Sequence, residues 1–346
     1  MQPVEFEREA RRRLPELLAS LVDDPAAARQ VARASADKDV DAILDAGGWR
    51  WLLEIKSSSS PGVVATAAAH LASIEAAGGQ PTLVVPHMTP AGARAADERR
   101  LNWIDLSGNA HLRADQLHIW VQGRPSAFAT HGRPSSAFAP KSSRIARVML
   151  LEPARWWRQK ELSERTGLDA GHISRIVRRL GDDALIERDG TLLRPRDPDL
   201  LLDAWADEYR FDRHDIITGH LSGDGVELAH ALTDGLRRTG IEHAVTGLPA
   251  AYLLNRFARF RLVSVYVEGD PRESADALDL RRNERGANVQ LIGPYDSGVF
   301  DGGMTVAGLA CVAPVQVYLD LLNLPERAIE AAEELRADAG LWGDRG

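Results

Sequence analysis

Two sets of side chains in this sequence have the types and spacing to do chemistry. The first is His172, Ser174, Arg175, Arg178, Arg179, Arg188 and Arg194. Arginine donates two parallel hydrogen bonds to O6 and N7 of guanine, and an α-helix fits the DNA major groove. The first turn of a helix inserted there usually faces base edges. His172, Ser174 and Arg175 are therefore base-reading candidates, and Arg178, Arg179, Arg188 and Arg194 are better placed for phosphates. The second set is Asp41 with Glu54 and Lys56. Glu54 and Lys56 are two apart, so on a strand they share a face. The carboxylates of Asp41 and Glu54 are hard oxygen ligands, a type that suits Mg2+. A plain ion pair explains the Glu-x-Lys spacing about as well.

Charge sets the first group apart. From Lys141 to Arg196 there are thirteen Lys/Arg and eight Asp/Glu, a local +5 on a chain of net charge −8, which leaves −13 on the remainder. A basic island on an acidic chain is what a phosphate-binding module within a larger protein looks like. The bland alternative is a module used only for protein contacts, with its arginines solvated.

The elements that must carry the first group follow from local pattern. Ser142-Ser143 can cap a helix burying Ile145, Val148, Met149 and Leu151, ended by Pro153. Gln159 to Thr166 is a second short helix with Leu162 inward. Gly167-Leu168-Asp169 is the turn: glycine supplies a positive φ, leucine plugs the core and aspartate caps the next helix. That helix runs from Ala170 to about Leu180, with Ile173, Ile176, Val177 and Leu180 on one face. Leu185 to Arg188, Asp189-Gly190 and Thr191 to Arg194 make a hairpin, since Asp-Gly is a favoured two-residue turn. Helix, turn, helix, hairpin is the order of a winged helix-turn-helix, over residues 142–209.

The flanking segments alternate helix and strand, which implies α/β domains. In residues 1–121, a helix over Val4 to Val22 precedes strands at Val40 to Leu44 and Trp51 to Lys56, a helix at Val63 to Ala77, a strand at Thr82 to Val85, a helix at Pro90 to Arg99 and a strand at Trp103 to Leu106. Register decides whether the second set converges. If Asp45 pairs with Arg50, Asp41 falls opposite Glu54; if Asp45 pairs with Trp49, Asp41 lands on the other face unless a bulge intervenes. Residues 122–141 are a Gly/Pro/Ser linker with two Gly-Arg-Pro repeats, at Gly123 and Gly132. They read as a semi-rigid tether or, since Gly-Arg-Pro resembles the core of an AT-hook, as arginines (Arg124 and Arg133) for a minor groove. Residues 216–342 carry helices at Val226 to Arg238, Pro249 to Phe257, Val315 to Leu322 and Arg327 to Leu335. Strands there are Ala244-Val245, Leu262 to Val267 and Val289 to Ile292.

Several function classes are excluded or demoted. No apolar run approaches the ~18 residues of a membrane span. Met1 to Ala10 has no apolar core of a signal peptide. Cys311 is the only cysteine, which rules out an internal disulfide and paired-cysteine zinc sites. The expected location is the cytoplasm. His214, His220, His230 and His243 show no ligand spacing and read as ordinary core or surface histidines.

The stretch from Gln159 to Leu168, with Ile173-Ser174-Arg175, resembles bacterial winged-helix regulators of the MarR-like type. A winged helix before a degenerate nucleotidyltransferase-like domain, with Val312-Ala313-Pro314-Val315-Gln316-Val317-Tyr318-Leu319-Asp320 near the end, resembles AbiEi-family antitoxins of type IV toxin–antitoxin systems. Asp41 and Glu54-Ile55-Lys56 resemble the PD-(D/E)xK restriction-endonuclease-like fold. In that fold two carboxylates hold a divalent metal and the lysine steadies the attacking water or the developing charge. Nucleotidyltransferase chemistry needs a Gly-Ser turn and an Asp pair on the next strand. Here Thr246-Gly247 stands in place of the turn, Val263 to Val267 lacks the pair, and Glu268 and Asp270 flank Gly269 in a loop.

The expected fold class is α/β multidomain: a restriction-endonuclease-like α/β domain, a central winged helix-turn-helix and a nucleotidyltransferase-like α/β domain. The expected function is a DNA-binding transcriptional regulator, a repressor of antitoxin type needing no cofactor. The rival is a metal-dependent DNA endonuclease directed by the winged helix; a third reading is a non-DNA adaptor in a phage-defence assembly. Expected partners are double-stranded DNA, a second copy of the chain and a cognate toxin or defence protein. A homodimer would use the helix face around Ile145 and Met149, or the C-terminal domain.

Overall fold

The computed structural model describes residues 3–24, 40–74, 78–128, 136–282, 286–325, 327–337 and 341. The second Gly-Arg-Pro repeat, including Arg133, lies outside them, as does Trp342. Among the described residues there are three sheets and twelve α-helices. No described helix is long and apolar enough to cross a membrane. The chain divides into two compact units.

The N-terminal unit runs through α1 (Pro3–Leu21), β1 (Ala42–Ala46), β2 (Trp49–Ile55), α2 (Pro61–Ala72), β3 (Gln80–Val85), α3 (Pro90–Glu98), β4 (Asn102–Asp105), β5 (Ala110–Ala114) and β6 (Leu117–Val121). Its six strands lie side by side in chain order. β2, β3 and β4 are parallel; β1 and the β5–β6 hairpin are antiparallel to their neighbours. The apolar stripe of α1, with Phe6, Leu14 and Leu18, packs on Leu44, Trp51, Leu53, Ile55, Val84, Ile104 and Leu112. Side chains alternate along a strand, so Leu52, Leu83 and Trp103 point to the other face, towards α2 and α3. Gly47 and Gly48 both have positive φ, as the tight β1–β2 turn demands. That turn pairs Asp45 with Arg50.

Next come α4 (Ser143–Leu151), β7 (Trp157–Arg158), α5 (Gln159–Thr166), α6 (Ala170–Asp182), β8 (Ile186–Asp189), β9 (Leu192–Pro195) and α7 (Pro198–Glu208). The expected order of helix, turn, helix and hairpin is present, with β7 added to make a three-stranded sheet. Two expectations fail here. Ser142 makes no side-chain cap bond to α4; its Oγ lies 2.9 Å from Nε2 of His172, while Ser143 Oγ donates to the Pro140 carbonyl. Ile145 and Met149 are fully buried within the chain, so neither is available to a second copy.

Residues 177–187 and 199–207 belong to the N-terminal unit. The serine run after β2 accounts for part of this. Ser58 Oγ donates to Asp183 Oδ1 at 2.9 Å, and Ser60 Oγ donates to the Asp183 carbonyl at 2.6 Å. A Cβ on Gly62 would lie 2.5 Å from the Ala184 carbonyl oxygen, so only glycine permits this approach. Asp207 accepts the N–H of Ala91 at the start of α3. Residues 122–128 are also held: Asn109 bonds both the N–H and C=O of Arg124, and Phe128 meets Phe6 edge-on.

The second unit continues through β10 (Asp215–His220), α8 (Gly225–Thr239), β11 (His243–Thr246), α9 (Gly247–Asn255), β12 (Val263–Val267), α10 (Pro271–Ala277), β13 (Arg281–Arg282), β14 (Val289–Gly293), β15 (Met304–Val306), β16 (Leu309–Cys311), α11 (Pro314–Leu321) and α12 (Ala328–Ala337). Its sheet has the order β13–β10–β14–β12–β11–β16–β15. β12 and β14 are parallel, as are β11 and β16. α4 packs on α11 in this unit.

Candidate nucleic-acid interface

α6 is built to present one face. Gly167 adopts φ 68° and closes α5, its N–H donating to the Ser163 carbonyl. Asp169 Oδ1 accepts the His172 N–H at 2.9 Å, and this backbone hydrogen bond holds its carboxyl below the usual range. Glu161 does the same at the other helix: it accepts the Arg158 N–H at 2.7 Å, and its pKa is lowered first by that bond. Along α6, Ile173, Ile176, Val177 and Leu180 are buried and Arg175, Arg178 and Arg179 are exposed.

The seven candidates separate on contact. Arg175 and Arg178 are one turn apart on the exposed side of α6. Among the described residues neither has a carboxylate within ion-pair distance. Arg188 is exposed on β8, one residue before the Asp189-Gly190 turn, where Gly190 has φ 58°. The other four are committed or shielded to some degree. His172 and Ser174 are half-buried, and His172 is tied to Ser142. Arg179 pairs with Asp183 at 2.8 Å, the same aspartate that holds Ser58. Arg194 lies over the Trp156 ring at 4.4 Å.

The second set also meets, and its side chains are engaged with one another. The β1–β2 register places Ala42 opposite Leu53, so Asp41 comes opposite Glu54. The Asp41 carboxylate then accepts the Ile55 N–H at 2.7 Å, extending the strand ladder. Glu54 is buried; its Oε1 lies 2.5 Å from Lys56 Nζ and its Oε2 lies 3.3 Å from His70 Nδ1. His70 from α2 is a partner that sequence reasoning missed. Among the described residues no three His, Cys, Asp or Glu side chains are grouped to hold a metal ion. The Glu-x-Lys pair is an ion pair, and with these bonds the residues fit a divalent metal poorly.

The C-terminal unit holds a buried polar cluster. Asp320 on α11 accepts hydrogen bonds from Tyr209 (2.5 Å), Gln316 (2.7 Å), Tyr266 (3.1 Å) and Thr246 (2.5 Å). Burial still pushes its pKa up to about 6. His214 Nε2 lies 3.0 Å and 3.2 Å from the two tyrosine hydroxyls, and Tyr295 stacks on its ring. Burial, and then the charge of Arg147, lower its pKa to about 4. The cluster reaches α4: Arg147 is buried and donates to Gln316 Oε1 at 2.6 Å. One turn earlier, Arg144 grips Asp296 with two bonds of 2.8 and 2.9 Å. Thr246, where a nucleotidyltransferase turn would stand, is thus a structural donor. Asp270 caps α10 by accepting the Arg272 N–H.

Residues 194–340 match a family described as transcriptional regulator, AbiEi antitoxin, type IV toxin–antitoxin system. The match takes in β9, α7 and the following α/β elements, which is less than half of the chain, and it leaves out α5 and α6. No curated protein and no solved structure matches.

Proposed function

We propose that this protein is a DNA-binding transcriptional regulator, a repressor of antitoxin type, that reads double-stranded DNA with a winged helix-turn-helix over residues 142–209. α6 is the reading helix and β8–β9 the wing. The observation that carries this is the pair Arg175 and Arg178. Two exposed guanidinium groups one turn apart, without carboxylate partners among the described residues, stand on a helix whose other face is buried. Arg175 in the first turns faces base edges, Arg178 and Arg188 face phosphates, and Ser142 fixes the His172 ring beside them. The match over residues 194–340 supports a regulator or antitoxin role. A second copy of the chain would supply the second half-site reading head, and a cognate toxin would be the protein partner. The N-terminal α/β unit, which carries the Glu-x-Lys pair, holds residues 183–184 at the end of α6 and acts as a support rather than a nuclease.

In the full-length protein, Arg175→Ala should cost about 1–3 kcal/mol at a specific site, because a guanine loses its bidentate partner. Arg188→Ala should weaken all sequences alike and reduce the salt slope by roughly one unit. Equal loss on every sequence for Arg175→Ala would remove it from base reading.

A further inference from the structure

The two helices after β2 cover the N-terminal sheet unequally. α2 and α3 pack on β3 and β4, but the same face continues across β5 and β6. Register carries one cross-strand row along it, from Leu83 through Trp103 and His111 to Trp120. Between this row, α3 and residues 122–124 is an open cleft of about 510 Å³. Sites of roughly 300–1,000 Å³ take small organic ligands.

The lining has a π face and a positive rim. Trp103 is buried, whereas Trp120 is 50% exposed, the one aromatic among the large apolar side chains left this open in the described residues. Arg94 reaches the rim from α3, and its nearest carboxylates, on Asp207 and Asp203, are 3.6 and 3.9 Å away. Arg124 enters from the other side. Asn109 fixes its backbone by two hydrogen bonds. Its guanidinium lies on Gly108, where an added Cβ would fall on Nη1 and where φ is +95°. Among the described residues Arg124 has no ion-pair partner. The acid in the cleft, Asp97, is spent on His111 at 2.7 Å and Arg113 at 3.2 Å. An exposed indole beside Arg124, and beside Arg94 whose ion pairs with Asp207 and Asp203 are long, favours a planar ring that carries an anion.

We propose that this cleft binds a free nucleoside monophosphate, its base stacked on Trp120 and its phosphate between Arg94 and Arg124. The cleft shares no residue with α6 and the proposal stands whether or not α6 reads DNA. A stacked base gives up a substantial part of its binding energy when the ring beneath it is truncated. The two arginines supply charge-assisted bonds that a nucleoside cannot use.

The test is calorimetric titration of full-length protein with AMP, UMP, adenosine, inorganic phosphate and a ten-nucleotide oligo-dT. AMP or UMP should bind, adenosine and phosphate alone each at least about tenfold more weakly. Trp120→Ala should weaken AMP binding about tenfold or more, and Trp120→Phe should restore most of it. Arg124→Gln and Arg94→Gln should bring AMP down towards adenosine. Both arginines and Trp120 are at the surface, so an unchanged unfolding temperature separates lost binding from lost fold. The proposal is overturned by no binding of either nucleotide at millimolar concentration, by adenosine or phosphate matching AMP, or by unchanged affinity in Trp120→Ala. It is equally overturned if the oligonucleotide binds this face more tightly than the mononucleotides, which would make the ligand a strand.

Discussion

Asp320 and His214 share one buried cluster, and burial displaces them in opposite directions: Asp320 from 3.8 up to about 6, His214 from 6.5 down to about 4. Each displacement is roughly two pH units, or about 3 kcal/mol at about 1.4 kcal/mol per unit. For Asp320, whose folded pKa is raised, the stabilising contribution is full below the unfolded value and is lost as pH rises through about 6. For His214, whose folded pKa is depressed, it is full above the unfolded value and is lost as pH falls through about 4. Between pH 4 and 6 the two slopes nearly cancel in the parent protein. Asp320→Asn removes one of them. Its Oδ1 can still accept from Tyr209 and Gln316, and the Thr246 hydroxyl can turn to accept from the new amide. Within this window folded Asp320 is largely protonated, so the substitution removes little charge from beside Arg147. The difference in unfolding free energy, Asp320→Asn minus parent, should therefore rise by about 2 kcal/mol from pH 4 to 6, since both titrations are partial at the ends of the window. His214→Gln minus parent should fall by a similar amount, about 2 kcal/mol. Urea denaturation across this pH range reads both, and subtracting the parent cancels distant titrations. Two differences of the same sign, or both flat, would refute the opposed displacement.

Gly62→Ala should cost about 1–3 kcal/mol in urea denaturation, because its Cβ meets the Ala184 backbone and neither side can yield cheaply; unchanged stability would show that the approach is loose. Purified protein should leave plasmid DNA uncut with magnesium or manganese, and Lys56→Ala should keep operator binding largely intact. Cleavage abolished by both Asp41→Ala and Glu54→Ala would promote the endonuclease reading. Light scattering should give a dimer, and substitutions on the exposed surface of the C-terminal unit should weaken it, since Ile145 and Met149 are buried; a monomer at all usable concentrations with a non-palindromic footprint would count against this.

Local pattern made much of the fold legible. Gly167, Asp169 and the spacing of Ile173, Ile176, Val177 and Leu180 mark the turn and α6 because each acts within a few residues. The residues alone leave the β1–β2 register open between two pairings, and the glycine turn fixes Asp45 opposite Arg50. The β5–β6 hairpin was not legible. Its turn uses Gln116 at φ 59° instead of glycine, which removes the turn signal although Ala110, Leu112 and Ala114 alternate with His111 and Arg113. Long-range polar contacts were least legible. Arg147 reads as the solvated side of α4, yet it is buried against Gln316 from 169 positions away. His214 shows no ligand spacing because its partners, Tyr209, Tyr266 and Tyr295, are hydroxyls and a ring from three distant parts of the chain. Likewise Ser58 and Ser60 anchor the end of α6 through Asp183, from 125 and 123 positions away.

The most direct test of the central claim is binding of the full-length protein to duplex DNA from upstream of its own gene, measured across a series of salt concentrations. A phosphate-gripping reading head gives a log affinity that falls linearly with log salt, by nearly one unit of slope for each phosphate neutralised. The account predicts such a slope, made shallower by roughly one unit in Arg178→Ala and in Arg188→Ala. It is contradicted by a protein that binds no duplex at low salt, or by one whose binding is untouched when Arg175, Arg178 and Arg188 are all replaced by alanine.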